Sequence, residues 1–367
     1  MRIVYVLTTL AVGGTERQVL AIAGRMAARG HSVALLVLKP READDCTTVL
    51  DVVHLDIRKS ASSLISGLRQ GVAFLRSFRP DIVHSHNFHG NMLARAMRLF
   101  CRDIRLISTI HNAYEGGRMR MLAYRMSDWL VDRTTAVSTA VAERFVRMKA
   151  MTQRKCMVVT NGIETADFVP DAERRAAMRA QMGVGDEYVW FCVARNTAAK
   201  DIPNLLQAFG KAWQSEPKIA LWIAGPDSAA GARRAMYAVS TMPLGALDGV
   251  RRLGPRRDIP ALLDGADGFV LASAWEGMPL ALGEAMAMEK PVIATDVGGV
   301  RELVGDAGML VPARDSEALA KAMLELMALP AEQRAAIGRA ACERIQKRFD
   351  MDAKADEWEA LYRSALR

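Results

Sequence analysis

Short apolar runs of strand length alternate along the whole chain with longer segments of helical period, and this alternation leaves few folds open. One series of apolar runs covers 3–7, 33–38, 52–55, 82–84, 106–110, 135–137 and 157–159. A second covers 188–194, 219–224, 250–253, 268–271, 292–294 and 309–311. Between them lie helical stretches such as 19–29, 64–78 and 202–213. Such an order builds parallel sheets covered by helices on both faces. A chain of 367 residues also exceeds what one core holds, since single cores stop growing near about 250–300 residues.

The expected class is therefore α/β, with two Rossmann-like domains. Asn161-Gly162 and Pro170 punctuate the chain between the series, which sets the domains at 1–165 and 166–350. The stretch 351–367 reads as an amphipathic helix left over once the strands are used. The opening run 3–10 is too short and too lightly charged for a signal peptide, and a Gly-Gly turn follows it, so it reads as a first buried strand. No apolar run approaches the ~20 residues that span a bilayer, and the chain is expected not to cross one. The five cysteines form no CxxC pair, which argues against a disulfide framework or zinc site and fits a reducing cytoplasm.

In doubly wound sheets ligands bind beyond the carboxyl ends of the strands, so the informative residues follow strands. Gly13-Gly14 opens a helix after the first strand, where bare backbone and free N–H groups suit an anionic group or merely a tight turn. His111 ends the fifth strand as a substrate contact or a structural cap. His84, His86 and His89 surround Asn87, a weak metal pattern without carboxylate or thiolate partners. In the second half, Arg195 and Lys200 flank one loop and suit a diphosphate leaving group. The densest signal is the segment 273–287, with Glu276 in a loop and Glu284 in the following helix. There Pro279 suits a first helical turn, Gly277 permits close approach, and the backbone of Gly277, Met278, Pro279 and Leu280 can cradle phosphate or sugar oxygens through the N–H groups of all but the proline.

Glu276 and Glu284 resemble the E-x7-E motif of retaining GT-B glycosyltransferases, closest to the large bacterial family 4-like group that builds surface glycans. The ordered match also includes Gly13-Gly14, His111, Asn161-Gly162-Ile163-Glu164, Arg195 with Lys200, Gly225, Pro291-Val292-Ile293 and Val297-Gly298-Gly299. The resemblance implies two Rossmann-like domains facing across a cleft, with the final helix crossing back to the first. It implies that Gly14 approaches the donor diphosphate and His111 the transferred sugar. Arg195 and Lys200 would hold the diphosphate, Glu276 the sugar hydroxyls and Glu284 the ribose. Arg252, Leu253 and Gly254 would line the base site, with Asn161 and Gly225 also at the substrate. One departure stands out, because Asp201 follows Lys200 where the family often has glycine. The family needs no metal, so no cofactor is expected; a nucleotide-sugar, UDP by default, is the substrate.

Residues 1–165 hold 24 Lys+Arg against 13 Asp+Glu, a surplus of +11, whereas the remaining 25 and 28 give −3. The basic half suggests an anionic partner. No nucleic-acid motif accompanies the charge. Two stretches carry apolar residues at helical spacing among arginines: Leu64, Leu68, Val72 and Leu75, then Leu122, Met126, Trp129 and Leu130. Both fit helices on an anionic membrane surface, which favours a peripheral protein on the inner face of the cytoplasmic membrane with a lipid-linked or saccharide acceptor. A nucleotide-sugar epimerase and a non-catalytic partner subunit are the competing readings. The first lacks the E-x7-E pattern, and the second predicts loss of the charged residues that are present here.

Overall fold

β1 (Arg2–Leu7) is apolar at every position after its arginine, and it is fully buried over that stretch in the computed structural model, which describes all residues except 12 and 43–45. Successive side chains of a strand point to opposite faces. Ile3, Tyr5 and Leu7 accordingly join one core with Val19, Ile22 and Met26 of α1 (Gly14–Ala28), while Val4 and Val6 join the other. That second core is completed by α2 (Ala61–Phe78) and α3 (Asn87–Arg98). A strand buried on both faces has no polar side to present, which is why its sequence is a continuous run.

The first domain adds β2 (Ser32–Val37), β3 (Asp51–His54), β4 (Ile82–His86), β5 (Arg105–Ile110), α4 (Arg118–Ser127), β6 (Arg133–Ala136), α5 (Thr139–Arg147) and β7 (Cys156–Val158). Among the described residues these strands form one parallel sheet in the order β3-β2-β1-β4-β5-β6-β7. The second domain holds α6 (Ala172–Gln181), β8 (Tyr188–Val193), α7 (Ile202–Ser215), β9 (Ile219–Ala224), α8 (Ala229–Ser240), β10 (Val250–Gly254) and α9 (Ile259–Gly265). It continues with β11 (Gly268–Leu271), α10 (Leu280–Ala287), β12 (Val292–Thr295), α11 (Val300–Val304), β13 (Met309–Val311), α12 (Ser316–Ala328) and α13 (Ala331–Arg348). Its sheet order is β10-β9-β8-β11-β12-β13, again parallel throughout. Both domains are thus Rossmann-like, and each reverses its strand order beside its first strand. Crevices open at such points beyond the strand carboxyl ends.

The last helix, α14 (Met351–Leu366), belongs to the first domain, which comprises Met1–Gly162 and Met351–Arg367. The chain leaves that domain after Gly162, slightly before the expected boundary at 165, and returns at Met351. A side chain on Gly162 would meet Met351 Cα at 2.9 Å, so the glycine is what lets the outgoing and returning strands pass closely. α14 buries Met351, Ala355, Trp358, Leu361 and Tyr362 in the core that includes α1. Arg25–Asp352 at 2.5 Å, Arg29–Asp356 at 2.6 Å and Arg29–Glu359 at 2.9 Å border the seam. Burial of each large side chain contributes roughly 1.5–3 kcal/mol, against about 0.2–1 for an exposed ion pair, so packing dominates the docking.

Candidate active site

The switch point of the second sheet lies between β8 and β11, and the loops leaving these two strands carry Arg195, Lys200 and Glu276. Lys200 Nζ donates to Glu276 Oε1 at 2.5 Å, and the fully buried Ser273 hydroxyl donates to the same oxygen at 2.6 Å. Thr295 Oγ1, at the end of β12, in turn donates to the Ser273 carbonyl at 2.6 Å. Glu276 is therefore buried and held by the segments that follow β8 and β11, the latter braced by the end of β12. The two loops are stitched together as well, with Ala274 N–H donating to the Ala199 carbonyl at 2.8 Å. Arg195 is exposed, Lys200 half-buried, and Glu284 is buried within α10.

Asp201, the departure from the family pattern, has φ +44° and serves as the N-cap of α7. This is the left-handed region where glycine is the default and Asp is among the few tolerated residues. Asp201 therefore adopts the conformation that glycine favours. Pro279 differs from expectation: it is the N-cap of α10 with ψ 114°, and the helix starts at Leu280. Its extended backbone keeps 276–279 out of the helix as a buried loop.

Glycine is obligatory at two places in this site. Gly298 has φ +55°, and a side chain there would lie 2.0 Å from the Glu276 carbonyl oxygen. Gly299 N–H donates to the Gly277 carbonyl at 2.8 Å, so the loop after β12 is pressed against the loop bearing Glu276. Gly225, at φ +138°, similarly lies against the Ala194 carbonyl, just before Arg195. Its N–H donates to the Gly254 carbonyl, which ties the ends of β9 and β10. Arg252 pairs with Asp227, whose carboxylate also accepts from Asn196 Nδ2 at 2.9 Å; Leu253 is half-buried.

The first domain has a different chemistry at its strand ends. Gly13 is extended and precedes α1, but the Glu16 carboxylate occupies the space a side chain would fill there. An anion at this helix start therefore meets a carboxylate as well as the first N–H groups of the helix. Buried along β4 and beyond β5 and β7, His84, His86, His111 and Asn161 line a cavity of about 10 Å³ with Thr160, Gln18 and Trp358. His84 is held by Tyr362 OH at 2.7 Å and Thr109 Oγ1 at 2.6 Å. His86 Nδ1 and His111 Nε2 are 3.0 Å apart. Burial lowers all three imidazoles, His111 to about 3, and neighbouring histidines add to the effect for His84 and His86. They are neutral at physiological pH. His89 is exposed on α3, apart from this group. Among the described residues, no group of three or more His, Cys, Asp or Glu is arranged to hold a metal ion.

Glu115, between β5 and α4, accepts a hydrogen bond from Tyr124 OH at 2.6 Å and a long one from the His111 backbone N–H at 3.4 Å. Burial raises its carboxyl to about 7 against the opposing effect of those donors. Asn91 and Arg95 complete the buried cluster beneath Tyr124. Sequence reasoning missed Ser273, His86 as a partner of His111, and Glu115. Ser273 stands three residues before Glu276, and His86 two residues beyond His84 on one strand face. The spacing of the two histidines was an available signal.

The two apolar stripes have opposite fates. In α2, Val72 and Leu75 enter the core and Leu68 packs against it, leaving only Leu64 with the neighbouring Ile65 exposed. This stretch does not present the expected surface stripe, because Gly67 and Gly71 bring that face against Ile57 and Met97. In α4 the inward residues are Met121 and Tyr124, and the expected stripe faces outward. Leu122, Met126 and Trp129 are exposed along with Met119, while Leu130 is half-buried. Arg118, Arg125 and Arg133 are exposed beside them, whereas Arg120 donates to the Glu115 carbonyl at 2.8 Å and stacks over Phe88. Among the described residues no helix is long and apolar enough to cross a membrane.

Comparison with known proteins matches each domain to a family of transferases. Residues 12–167 match the family described as Glycosyltransferase Family 4, and residues 187–328 that described as Glycosyl transferases group 1. The chain is 27% identical to a glycogen synthase of Mycobacterium tuberculosis, over 98% of this chain and 92% of the relative. It is 28% identical to a D-inositol 3-phosphate glycosyltransferase of Saccharomonospora viridis, over 82% and 74% respectively. The structure of Anabaena Alr3699/HepE in complex with UDP and glucose matches with a TM-score of 0.87 at 20% identity, over 99% of this chain and 100% of that one.

Proposed function

We propose that this chain, which belongs to the family 4-like glycosyltransferases of the GT-B fold, transfers a sugar from a UDP-sugar to a lipid-linked or saccharide acceptor with retention of configuration. The observation that carries this reading is the Lys200–Glu276–Ser273 constellation at the switch point of the second sheet. A nucleoside diphosphate leaving group gains negative charge as the glycosidic bond breaks. Arg195 and Lys200 follow one strand and offset that charge, which is where fixed cations lower a barrier most. Glu276, held in place by Ser273, is assigned to the sugar hydroxyls, and Glu284 to the ribose. The backbone N–H groups of Gly277, Met278 and Leu280 and the segment 252–254 are assigned to the diphosphate and base. His111 is assigned to the transferred sugar.

No protein nucleophile is invoked. Front-face displacement, with the leaving phosphate assisting the acceptor hydroxyl, retains configuration and needs positioning and electrostatics only. No metal takes part in this reading, so transfer is expected to persist after exhaustive EDTA treatment; complete loss restored by magnesium or manganese would refute it. The donor is tested by a thermal-shift panel of UDP-, GDP- and ADP-sugars. A ligand that binds only the native state at about 100 times its Kd adds about 2.7 kcal/mol. Stabilisation by UDP-sugars is the expected result, and no shift with any of the three would overturn the assignment. UDP also accompanies glucose in the Anabaena structure.

The outward face of α4 supports a further part of this reading, peripheral attachment to the anionic inner face of the cytoplasmic membrane. Each basic side chain near such a surface contributes about 1 kcal/mol, weakened by salt. Replacing Arg118, Arg125 and Arg133 together by Gln is expected to release the protein from anionic vesicles in flotation. Arg120 is left intact because it holds the loop at Glu115. A wild-type protein that never floats with anionic vesicles removes the membrane from the proposal.

A further inference from the structure

Two buried histidines in contact have to divide their protons. His86 Nδ1 and His111 Nε2 stand 3.0 Å apart, within hydrogen-bond distance. Burial keeps both rings neutral, so each carries one N–H and one lone pair, and a single proton lies between them. Either His86 donates from Nδ1 and His111 carries its own proton on Nδ1, or His111 donates from Nε2 and His86 carries its proton on Nε2.

His86 Nε2 separates the two arrangements. It is buried and bonds nothing among the described residues. In the first arrangement this nitrogen is a lone pair, and in the second it is a buried N–H without an acceptor. Orphaned buried donors are the rarer and costlier defect. Rotation of the ring offers no escape. The Tyr5 ring lies alongside His86 at 6.1 Å with an 18° interplanar angle, and the His84 ring packs against it at 4.1 Å. His84 is itself fixed at both nitrogens by Tyr362 and Thr109. Turning His86 over would also put carbon where Nδ1 meets His111.

We infer that His86 is a positioning residue for His111: its Nδ1–H donates to His111 Nε2 and holds His111 as the Nδ1–H tautomer, a neutral hydrogen-bond donor to a substrate oxygen. The bond made by one ring nitrogen sets what the other offers. His111 Nδ1 makes no hydrogen bond among the described residues, so its proton is the one the ring presents. A sugar hydroxyl oxygen accepts such a bond; a proton to be abstracted does not. The inference thus rests on the assignment of His111 to a sugar, and it makes His111 a donor without an acid–base role.

The test uses full-length protein with ¹⁵N-labelled histidine and long-range ¹H–¹⁵N correlation, in which the two tautomers give different cross-peak patterns. His111 is identified by the signal lost in His111→Phe. The wild type is expected to show the Nδ1–H pattern. His86→Phe is expected to move His111 toward the Nε2–H form that free imidazoles prefer, and His86→Asn to keep Nδ1–H, because its amide N–H stands where the ring Nδ1–H stood. An Nε2–H pattern in the wild type overturns the inference without any variant having to fold, and so does an Nδ1–H pattern that survives in His86→Phe. These spectra do not depend on turnover, so a failure of the glycosyltransferase reading would leave them interpretable. For transfer itself, His86→Phe is expected to lower kcat about tenfold, the scale of one hydrogen bond, with the KM for donor within about twofold. An unchanged kcat alongside a switched tautomer would remove the positioning role.

Discussion

The two domains share the order of their first six strands and gather polar residues at the carboxyl ends of those strands, yet they keep opposite electrostatics there. In the second domain a carboxylate is ion-paired, Glu276 with Lys200, beside the exposed Arg195. In the first, the imidazoles are neutral and the nearby carboxyl of Glu115 is raised to about 7 by burial. Under the proposed function, the charged site would answer a charged leaving group and the neutral site hydroxyls. One architecture therefore supplies two chemistries through the depth at which strand-end side chains are buried, and substitutions in each domain should fail in different ways.

The largest effect is expected at Lys200. Lys200→Ala removes a cation from the developing diphosphate charge and leaves buried Glu276 without its ion-pair partner. Transfer should fall by about 10²–10³-fold, or about 2.7–4 kcal/mol, with the fold preserved by circular dichroism. Arg195→Ala should fall in the same direction. Near-normal turnover in both variants would erase the contrast between the domains.

Glu115 gives the next effect, and on stability. Its folded pKa of about 7 lies above the ordinary value of 4.5, so the folded state holds the proton more tightly than the unfolded one. Stability is therefore greatest below about pH 4.5 for this group and declines as pH rises through 7. The full cost is on the order of 3 kcal/mol. Glu115→Gln should flatten the decline, read as a smaller drop in denaturation midpoint between pH 5 and pH 8 than in the wild type. A parallel pH dependence in both proteins would show that Glu115 is not the responsible group.

A smaller effect is expected at Ser273. Ser273→Ala leaves Lys200–Glu276 paired but frees Glu276 from its second donor, which should cost about tenfold in kcat. The sugar is the ligand assigned to Glu276, so the inhibition constant of UDP alone as a competitive inhibitor should hardly move. An equal loss in UDP binding would instead place Ser273 in the diphosphate site.

The strands and the residues after them could be read from the chain because buried parallel strands must be apolar on both faces, and because a loop that meets a ligand needs residue types a core would reject. Lys200, Glu276 and Gly298 were visible for that reason. Ser273 was not, since a serine at the end of a buried strand looks like any strand cap until Glu276 folds back onto it. The stripes of α2 and α4 make the same point. Both have helical period and both carry arginines, but only the packing of Gly67 and Gly71 against Ile57 and Met97 shows that α2 spends its stripe on the core.

What the sequence determined by itself was therefore periodic and local: two series of parallel strands and the loops that end them. Tertiary structure alone decided which apolar faces are covered, how the final helix brings Tyr362 to His84, and which two of the histidines share a proton. Those outcomes depend on distances between residues far apart in the chain. The alternation of side chains along one strand fixes only the face each residue takes, while hydrogen bonds and burial are set by what the neighbouring strands and helices bring to that face.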